Sequence, residues 1–256
     1  MKKALISALI INAMLIASSA EAQQKQLPQS MTAKTIIQRI YAKPTMENLQ
    51  KAMLRASALD LTNPAVQTDY ILFNECKIYI ENYQNDFKLE KIRKAAQQII
   101  EKERLSWPDA FSFIVPMQLD KYDFTSSTFM LLERYQLKNV NSFNILSEGR
   151  QQVCLMGKQP SELPTNASVR VDQPVTIAGL PLSKEQGQDL LDKMLKKKNL
   201  SRDIYARFNI TVSYMPPLEP EPSMMRENYY FDGSLTSVEF FEDEELTKPI
   251  WVFVRG

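Results

Sequence analysis

The feature that most constrains the fold is a change in the spacing of apolar residues near residue 107. Up to about Ser106 they recur every three or four positions, as in Met46, Leu49 and Met53, and this spacing predicts helices. From Phe111 they form short runs separated by turn residues, which predicts strands. We therefore predict an α+β fold in which an N-terminal helical layer packs on a mainly antiparallel C-terminal sheet.

The helical block is predicted to cover residues 33–106 and to contain two to four helices. Asn63-Pro64 is typical of a helix cap followed by proline at the first helical position. Asn85-Asp86 is expected either to interrupt the helical pattern or to cap a further helix that follows.

The strand-rich block is predicted to cover residues 110–256. Alternation of apolar and polar residues over 208–214 predicts a strand with one buried and one solvated face. Asp232-Gly233, between two apolar runs, predicts a hairpin turn. The other predicted strands are 111–119, 129–132, 142–146, 151–156, 169–177 with a bend at 172–174, and 250–254.

One further helix is predicted inside the strand-rich block. Ser183 and Gln186 have the spacing of a capping box, and an apolar stripe follows them. Four lysines, at positions 193, 196, 197 and 198, stand at the C-terminal end, where the helix dipole favours cations.

The first 22 residues have the pattern of an export signal. Lys2 and Lys3 precede an apolar run over 4–17, and small residues at 20 and 22 suit a signal peptidase, so we expect cleavage between Ala22 and Gln23. The alternative is a buried N-terminal helix of the folded domain. Cleavage would leave residues 23–256 as a single α+β domain, without a later apolar run long enough to form a stable membrane span. We expect a periplasmic or secreted protein.

Composition argues against several classes of function. The chain has no histidine, which removes Ser-His-Asp and Cys-His catalysis and imidazole zinc sites. Its 31 basic and 30 acidic residues nearly balance, without a basic stripe, so we predict no nucleic-acid partner. Its six glycines are too scattered to cradle a phosphate, and we predict no cofactor.

A short aromatic motif carries a family resemblance. It consists of Tyr122-Asp123-Phe124-Thr125 and then Phe129-Met130-Leu131, with the run 139–146 downstream. With the export signal and the helical first third, it resembles an uncharacterised family of exported proteobacterial proteins that carry a domain of unknown function. The resemblance implies no activity and no functional residues.

Cys76 and Cys154 are the only cysteines, and export would expose them to an oxidising compartment. One hypothesis is a disulfide that ties the helical layer to the central strands. The alternative is two separate buried thiols. A catalytic thiol is disfavoured because the chain has no histidine to activate it.

Carboxylates and aromatic residues supply the remaining candidates. Acidic residues at 219, 221, 232 and 242–245 suggest a solvated loop, a calcium site or a glycosidase pair. The spacing typical of calcium ligands and the spacing of a glycosidase pair are both absent. We predict no metal site. Tyr229, Tyr230 and Phe231 form a candidate interaction surface, with core packing as the alternative. Ser126, Ser127 and Thr128 are more simply explained as a turn than as a nucleophile.

Two functions remain compatible with the sequence. The first is a non-catalytic periplasmic module that binds an envelope protein or glycan through sheet edges, the proline-rich loop 216–222 or the predicted hairpin. The second is a carboxylate-based hydrolase acting on envelope glycans, which needs no histidine but does need two carboxylates at a fixed separation. The lack of catalytic motifs favours the first.

Overall fold

A computed structural model describes residues 41–146, 163–164, 166–218 and 229–255. Within these ranges, four α-helices precede the strands: α1 (Met46–Arg55), α2 (Pro64–Asn74), α3 (Cys76–Asn82) and α4 (Asp86–Glu103). A fifth helix, α5 (Lys184–Lys196), lies between the strands. None of the helices in these ranges is long and apolar enough to cross a membrane.

Side-chain caps fix where most of these helices begin. Asn63 accepts a hydrogen bond from the backbone N–H of Ala65 and precedes proline at the first position of α2. Asn85 caps α4 through the N–H of Lys88. Ser183 and Gln186 form the reciprocal capping box of α5. These three predicted helix starts are confirmed.

Eight strands of the described residues form one curled sheet. They are β1 (Ala110–Asp123), β2 (Thr128–Leu131), β3 (Leu137–Leu146), β4 (Ala167–Ile177), β5 (Gly179–Pro181), β6 (Asp203–Tyr214), β7 (Tyr229–Phe241) and β8 (Pro249–Val254). The strand order is β3-β4-β7-β6-β1-β2-β5, with β8 also paired to β7. Among the eight described strands only the β4–β7 pair is parallel, so the sheet is mainly antiparallel and the predicted α+β class is confirmed.

The predicted hairpin turn at Asp232-Gly233 is wrong, because both residues lie inside the continuous strand β7. Glycine is required at position 233 because the neighbouring strands approach its Cα closely. A Cβ at that position would lie 2.6 Å from the carbonyl oxygen of Thr211 and 2.9 Å from a methyl group of Val169. Glycine inside a strand often marks such a close approach between backbones, which local sequence does not distinguish from a turn.

Helices and sheet contribute to one continuous apolar core. Its largest fully buried side chains include Leu49, Met53 and Ile100 from the helices and Phe111, Phe208, Phe231 and Phe240 from the strands. The ring of Tyr70 on α2 stacks on Trp107, just before β1, with centroids 5.7 Å apart. The helical layer is therefore packed on the sheet as predicted.

Local bulges explain where simple alternation along the strands fails. In β6, Phe208 and Ile210 are buried as predicted, but Tyr214 is 55% exposed. The register between β6 and β7 shifts between Val212 and Tyr214, and this shift ends the alternation. The register between β3 and β4 also shifts across residues 171–174, which fits the predicted bend in β4. The predicted strand at 151–156 lies outside the described residues.

Candidate functional site

Polar residues occupy the centre of the sheet on the side opposite Phe208 and Phe240. Arg207 and Asn209 of β6 lie directly across from Glu239 and Ser237 of β7. Directly paired residues share a sheet face, so the four side chains form one group, here called the polar cluster. Asn209 is only 2% exposed, Ser237 is fully buried and Glu239 is 8% exposed.

Hydrogen bonds connect all four residues of the polar cluster. The Asn209 amide nitrogen donates to Ser237 Oγ at 2.9 Å and to Glu239 Oε1 at 2.6 Å. Arg207 donates from Nη2 to Glu239 Oε2 and lies over the ring of Phe241, 5.0 Å from its centroid. Buried polar groups are costly unless paired, so this network fixes β6 against β7.

The carboxylate of Glu239 is held by these donors, a setting unlike that of a glycosidase pair. Both of its oxygens accept hydrogen bonds, one from Asn209 and one from Arg207. Glycoside hydrolysis instead needs two carboxylates facing each other across a substrate. The cluster is thus suited to holding strands in register.

Next to the polar cluster lies strand β8, which pairs with the same residues of β7. Val252 is directly across from Glu239, and Val254 is across from Ser237. Within the described ranges β8 pairs with β7 alone, whereas β4 pairs with the other half of β7. Arg255 links the end of β8 to β4 by donating to the carbonyl oxygen of Gln173 at 2.8 Å. The side of β8 away from β7 is called the free edge below.

The hydrogen-bond parity of β8 identifies which backbone groups point to the free edge. The N–H of Arg255 donates to the carbonyl of Thr236 at 3.2 Å. Along an antiparallel pair, every second residue forms its backbone hydrogen bonds with the partner strand, and the residues in between direct theirs to the other side. Phe253 and Trp251 therefore bond to β7. The N–H and C=O groups of Val252 and Val254 consequently point to the free edge.

The side chains of β8 are apolar on both faces of the sheet. Trp251 stacks on the core residue Phe240, with centroids 5.6 Å apart, and Phe253 lies 6.4 Å from Trp251. On the opposite face Val252 is half-buried and Val254 is 49% exposed. An apolar edge strand with unpaired backbone groups is a template for the addition of another strand.

The predicted aromatic surface is divided between the two faces of β7. Tyr229 and Phe231 are buried, and only Tyr230, which is 47% exposed, presents its ring to solvent. The hydroxyl of Tyr229 donates to the carbonyl of Pro216 at 2.8 Å, and burial raises its pKa above the ordinary value. Adjacent strand residues point to opposite faces, so three consecutive aromatics do not form one surface here.

The cysteine and cleavage predictions fall largely beyond the described ranges. Cys76 is half-buried and is the first residue of α3. Cys154, Ala22 and Gln23 lie outside the described residues, so the disulfide and the cleavage site stay predictions.

The acidic residues near β8 have separate structural roles. Glu242 pairs with Lys193 and Lys197 of the α5 region, at 3.7 and 3.0 Å. Asp243 caps its own turn, and the hydroxyl of Thr247, followed by backbone N–H groups, holds the Asp243 pKa below the usual range. Asp232 pairs with Arg170 at 2.9 Å. In the described part of the chain, no three acidic or cysteine side chains are grouped to hold a metal ion.

The aromatic motif near residue 122 has a packing role. The hydroxyl of Tyr122 donates to the carbonyl of Leu182 at 2.8 Å, and its ring lies against Gly187 of α5. Asp123 accepts hydrogen bonds from Ser126 and Thr125, which lower its pKa and shape the turn into β2. Ser126 thus belongs to a turn.

The polar cluster and the free edge were both missed by sequence reasoning. One available signal was the polar set Asn209, Ser237 and Glu239 in two strongly apolar strands. Periodicity alone places Asn209 on a solvated face, because burial of that face depends on neighbouring strands.

Comparison with known proteins gives one match. The sequence model of a family described as a domain of unknown function (DUF4852) matches residues 64–193, just over half of the chain. No curated protein and no solved structure matches the chain at a significant level.

Proposed function

The chain belongs to the family described as a domain of unknown function (DUF4852), and we propose that it is an exported, non-catalytic binding module of the periplasm. In this proposal the module takes up an extended segment of an envelope protein along the free edge of β8. The unpaired N–H and C=O groups of Val252 and Val254, within the described structure, carry the proposal.

Strand addition explains the apolar character of β8 on both faces. A strand added at the free edge would place alternate side chains beside Trp251 and Phe253 on one face. The intervening side chains would lie beside Val252 and Val254 on the other. Backbone hydrogen bonds would supply affinity, and these apolar contacts would select apolar side chains at the centre of the partner.

The charge at the start of β8 favours a partner segment of defined composition. Lys248 is exposed directly before the strand. A segment with an apolar centre and an acidic residue near Lys248 fits the free edge.

The polar cluster supports this edge from the side of β7. Glu239 and Ser237 lie directly across from Val252 and Val254, and Asn209 links both to β6. This network holds β7 in one register, so β8 is presented in a fixed position. Preorganisation of this kind reduces the entropy lost on binding.

The export signal also affects the two cysteines. An exported chain meets an oxidising environment, where Cys76 and Cys154 are able to pair. We include this disulfide in the proposal. The resulting cross-link would join α3 to the segment that follows β3.

Replacing Val252 by proline tests strand addition. The substitution removes an N–H that points to the free edge, while the β7–β8 bonds made by Trp251 and Phe253 remain. Val252→Thr is the matched control, because it changes the side chain and retains the N–H. Full-length wild-type protein and both variants would be cross-linked in the native envelope, affinity-purified and compared by mass spectrometry.

We expect the same envelope protein with the wild type and Val252→Thr, and its loss with Val252→Pro. Circular dichroism and thermal unfolding would show that Val252→Pro is still folded. Recovery of that protein at equal yield with folded Val252→Pro would contradict binding at the free edge. Failure of the wild type to recover any reproducible partner would count against the binding function itself.

A further inference from the structure

The C-terminal end of α5 carries a patch of exposed leucines and lysines, remote in sequence from β8. Leu195 is 53% exposed and Leu200 is 79% exposed. Lys196 and Lys198 lie between them and are exposed as well. These four residues are called the leucine–lysine patch.

Backbone hydrogen bonds hold the leucine–lysine patch together. The N–H of Lys198 donates to the carbonyl of Leu195, and the N–H of Leu200 donates to the carbonyl of Lys198, both at 3.0 Å. The N–H of Asn199 also donates to the carbonyl of Met194 at 2.9 Å. The two leucines are therefore parts of one turn that ends the helix.

Two basic residues, one in this turn and one shortly after it, adopt a backbone conformation that normally favours glycine. Lys198 has a φ of 56° and Arg202 has a φ of 55°. For Lys198 this is the ordinary conformation of the residue that follows a helix C-cap, because the bonds of Lys198 to Leu195 and of Asn199 to Met194 form a Schellman motif. The backbone at Lys198 is thereby fixed at the end of α5.

The lysines of this region differ in their pairing. Lys193 and Lys197 lie within ion-pair distance of Glu242, and Lys193 also pairs with Asp189 at 2.6 Å. Lys196 and Lys198 have no carboxylate within 4 Å among the described residues. The charge next to the exposed leucines is therefore available to an external anion.

We propose that the leucine–lysine patch docks the protein on an anionic phospholipid surface. Exposed leucines would enter the boundary between headgroups and acyl chains, and the ammonium groups would lie at the level of the lipid phosphates. Charge complementarity selects this occupant, because Lys196 and Lys198 are close in sequence and have no ion-pair partner in the described part of the chain, whereas an apolar protein groove would not require them. The leucine–lysine patch and the free edge of β8 share no residue.

Sedimentation with vesicles tests the proposal. Full-length protein would be mixed with vesicles of phosphatidylglycerol and phosphatidylcholine, or of phosphatidylcholine alone. We expect binding to the anionic vesicles that weakens as NaCl is raised. Each lysine near an anionic surface contributes a factor of about five to the affinity. Removing both charges in Lys196→Ser/Lys198→Ser should therefore weaken binding by about 30-fold. Leu195→Ser/Leu200→Ser should weaken it as well.

A matched control is available on α4. Phe87→Ser/Lys88→Ser/Lys91→Ser removes one exposed apolar residue and two exposed lysines elsewhere, and it should leave binding unchanged. Equal binding to neutral and anionic vesicles, or unchanged binding by the folded Lys196→Ser/Lys198→Ser variant, would overturn the proposal. Val252→Pro should bind vesicles like the wild type. Vesicle binding therefore tests the leucine–lysine patch, and partner recovery tests the free edge, so the failure of one proposal is distinguishable from the failure of the other.

Discussion

Asn209 is the residue on which the polar cluster depends, because its amide nitrogen donates to both Ser237 and Glu239. Asn209→Ala would leave Ser237 Oγ and Glu239 Oε1 without this buried donor. We expect a loss of about 2 to 3 kcal/mol in the free energy of unfolding, the usual cost of unsatisfied buried polar groups. Urea denaturation measures it. Ser213→Ala, at an exposed position of the same strand, should change stability by less than about 0.5 kcal/mol.

Tyr229 predicts how stability responds to alkaline pH. Burial raises its pKa in the folded protein, whereas tyrosine in the unfolded chain titrates near pH 10. The stabilising contribution is therefore complete below about pH 10 and decreases as pH rises towards the folded pKa. We expect Tyr229 to contribute a slope of up to about −1.4 kcal/mol per pH unit above pH 10.

Tyr229→Phe isolates this contribution. The variant loses the hydrogen bond to Pro216 and should be less stable at neutral pH. Its stability should nevertheless fall less steeply than that of the wild type between pH 10 and 11.5. Identical slopes in urea denaturation series would contradict the assignment.

Strand β7 is the element that organises the sheet, since it pairs with β4, β6 and β8. Gly233→Ala tests the close approach of β7 and β6. The added Cβ would meet backbone at Thr211 and cannot be relieved by a side-chain rotation. We expect a loss of about 1 to 3 kcal/mol, as for other overpacked sites. Thermal unfolding of the variant, compared with Thr236→Ala on the same strand, measures the difference.

The two ends of α5 depend on different physical effects. The capping box begins the helix through local hydrogen bonds, and the spacing of Ser183 and Gln186 was sufficient to predict it. For the C-terminal lysines, the sequence indicates only the helix dipole as a cause. Ion pairs to Glu242 account for Lys193 and Lys197, and these pairs bring α5 next to the end of β7.

At the scale of the whole molecule, the disulfide is the strongest predicted constraint. In the chain-entropy description, a bridge between Cys76 and Cys154 would stabilise the fold by about 4 to 5 kcal/mol. We expect exported wild-type protein to unfold at lower urea concentration after reduction. Cys76→Ser/Cys154→Ser should have low stability that reductant does not change. Alkylation of two thiols before reduction, detected by intact mass, would exclude the bridge.

Sequence alone determined those parts of the protein that depend on local interactions. Helix periodicity, the caps at Asn63, Asn85 and Ser183, and the change to strand-like spacing near residue 107 were enough to predict the α+β class. Capping and periodicity involve residues within about one helical turn or a few strand positions, so their signals are readable from the chain.

Tertiary structure decided what depends on contacts between distant segments. The Asp232-Gly233 pair predicts a turn, whereas the neighbours that require glycine at 233, Thr211 and Val169, are remote in sequence. The polar cluster joins residues about 30 positions apart. The free edge exists because β4 pairs only with the first part of β7, and β8 pairs with the last part. Burial and strand order arise from the global arrangement of the sheet, which local patterns of residues do not specify.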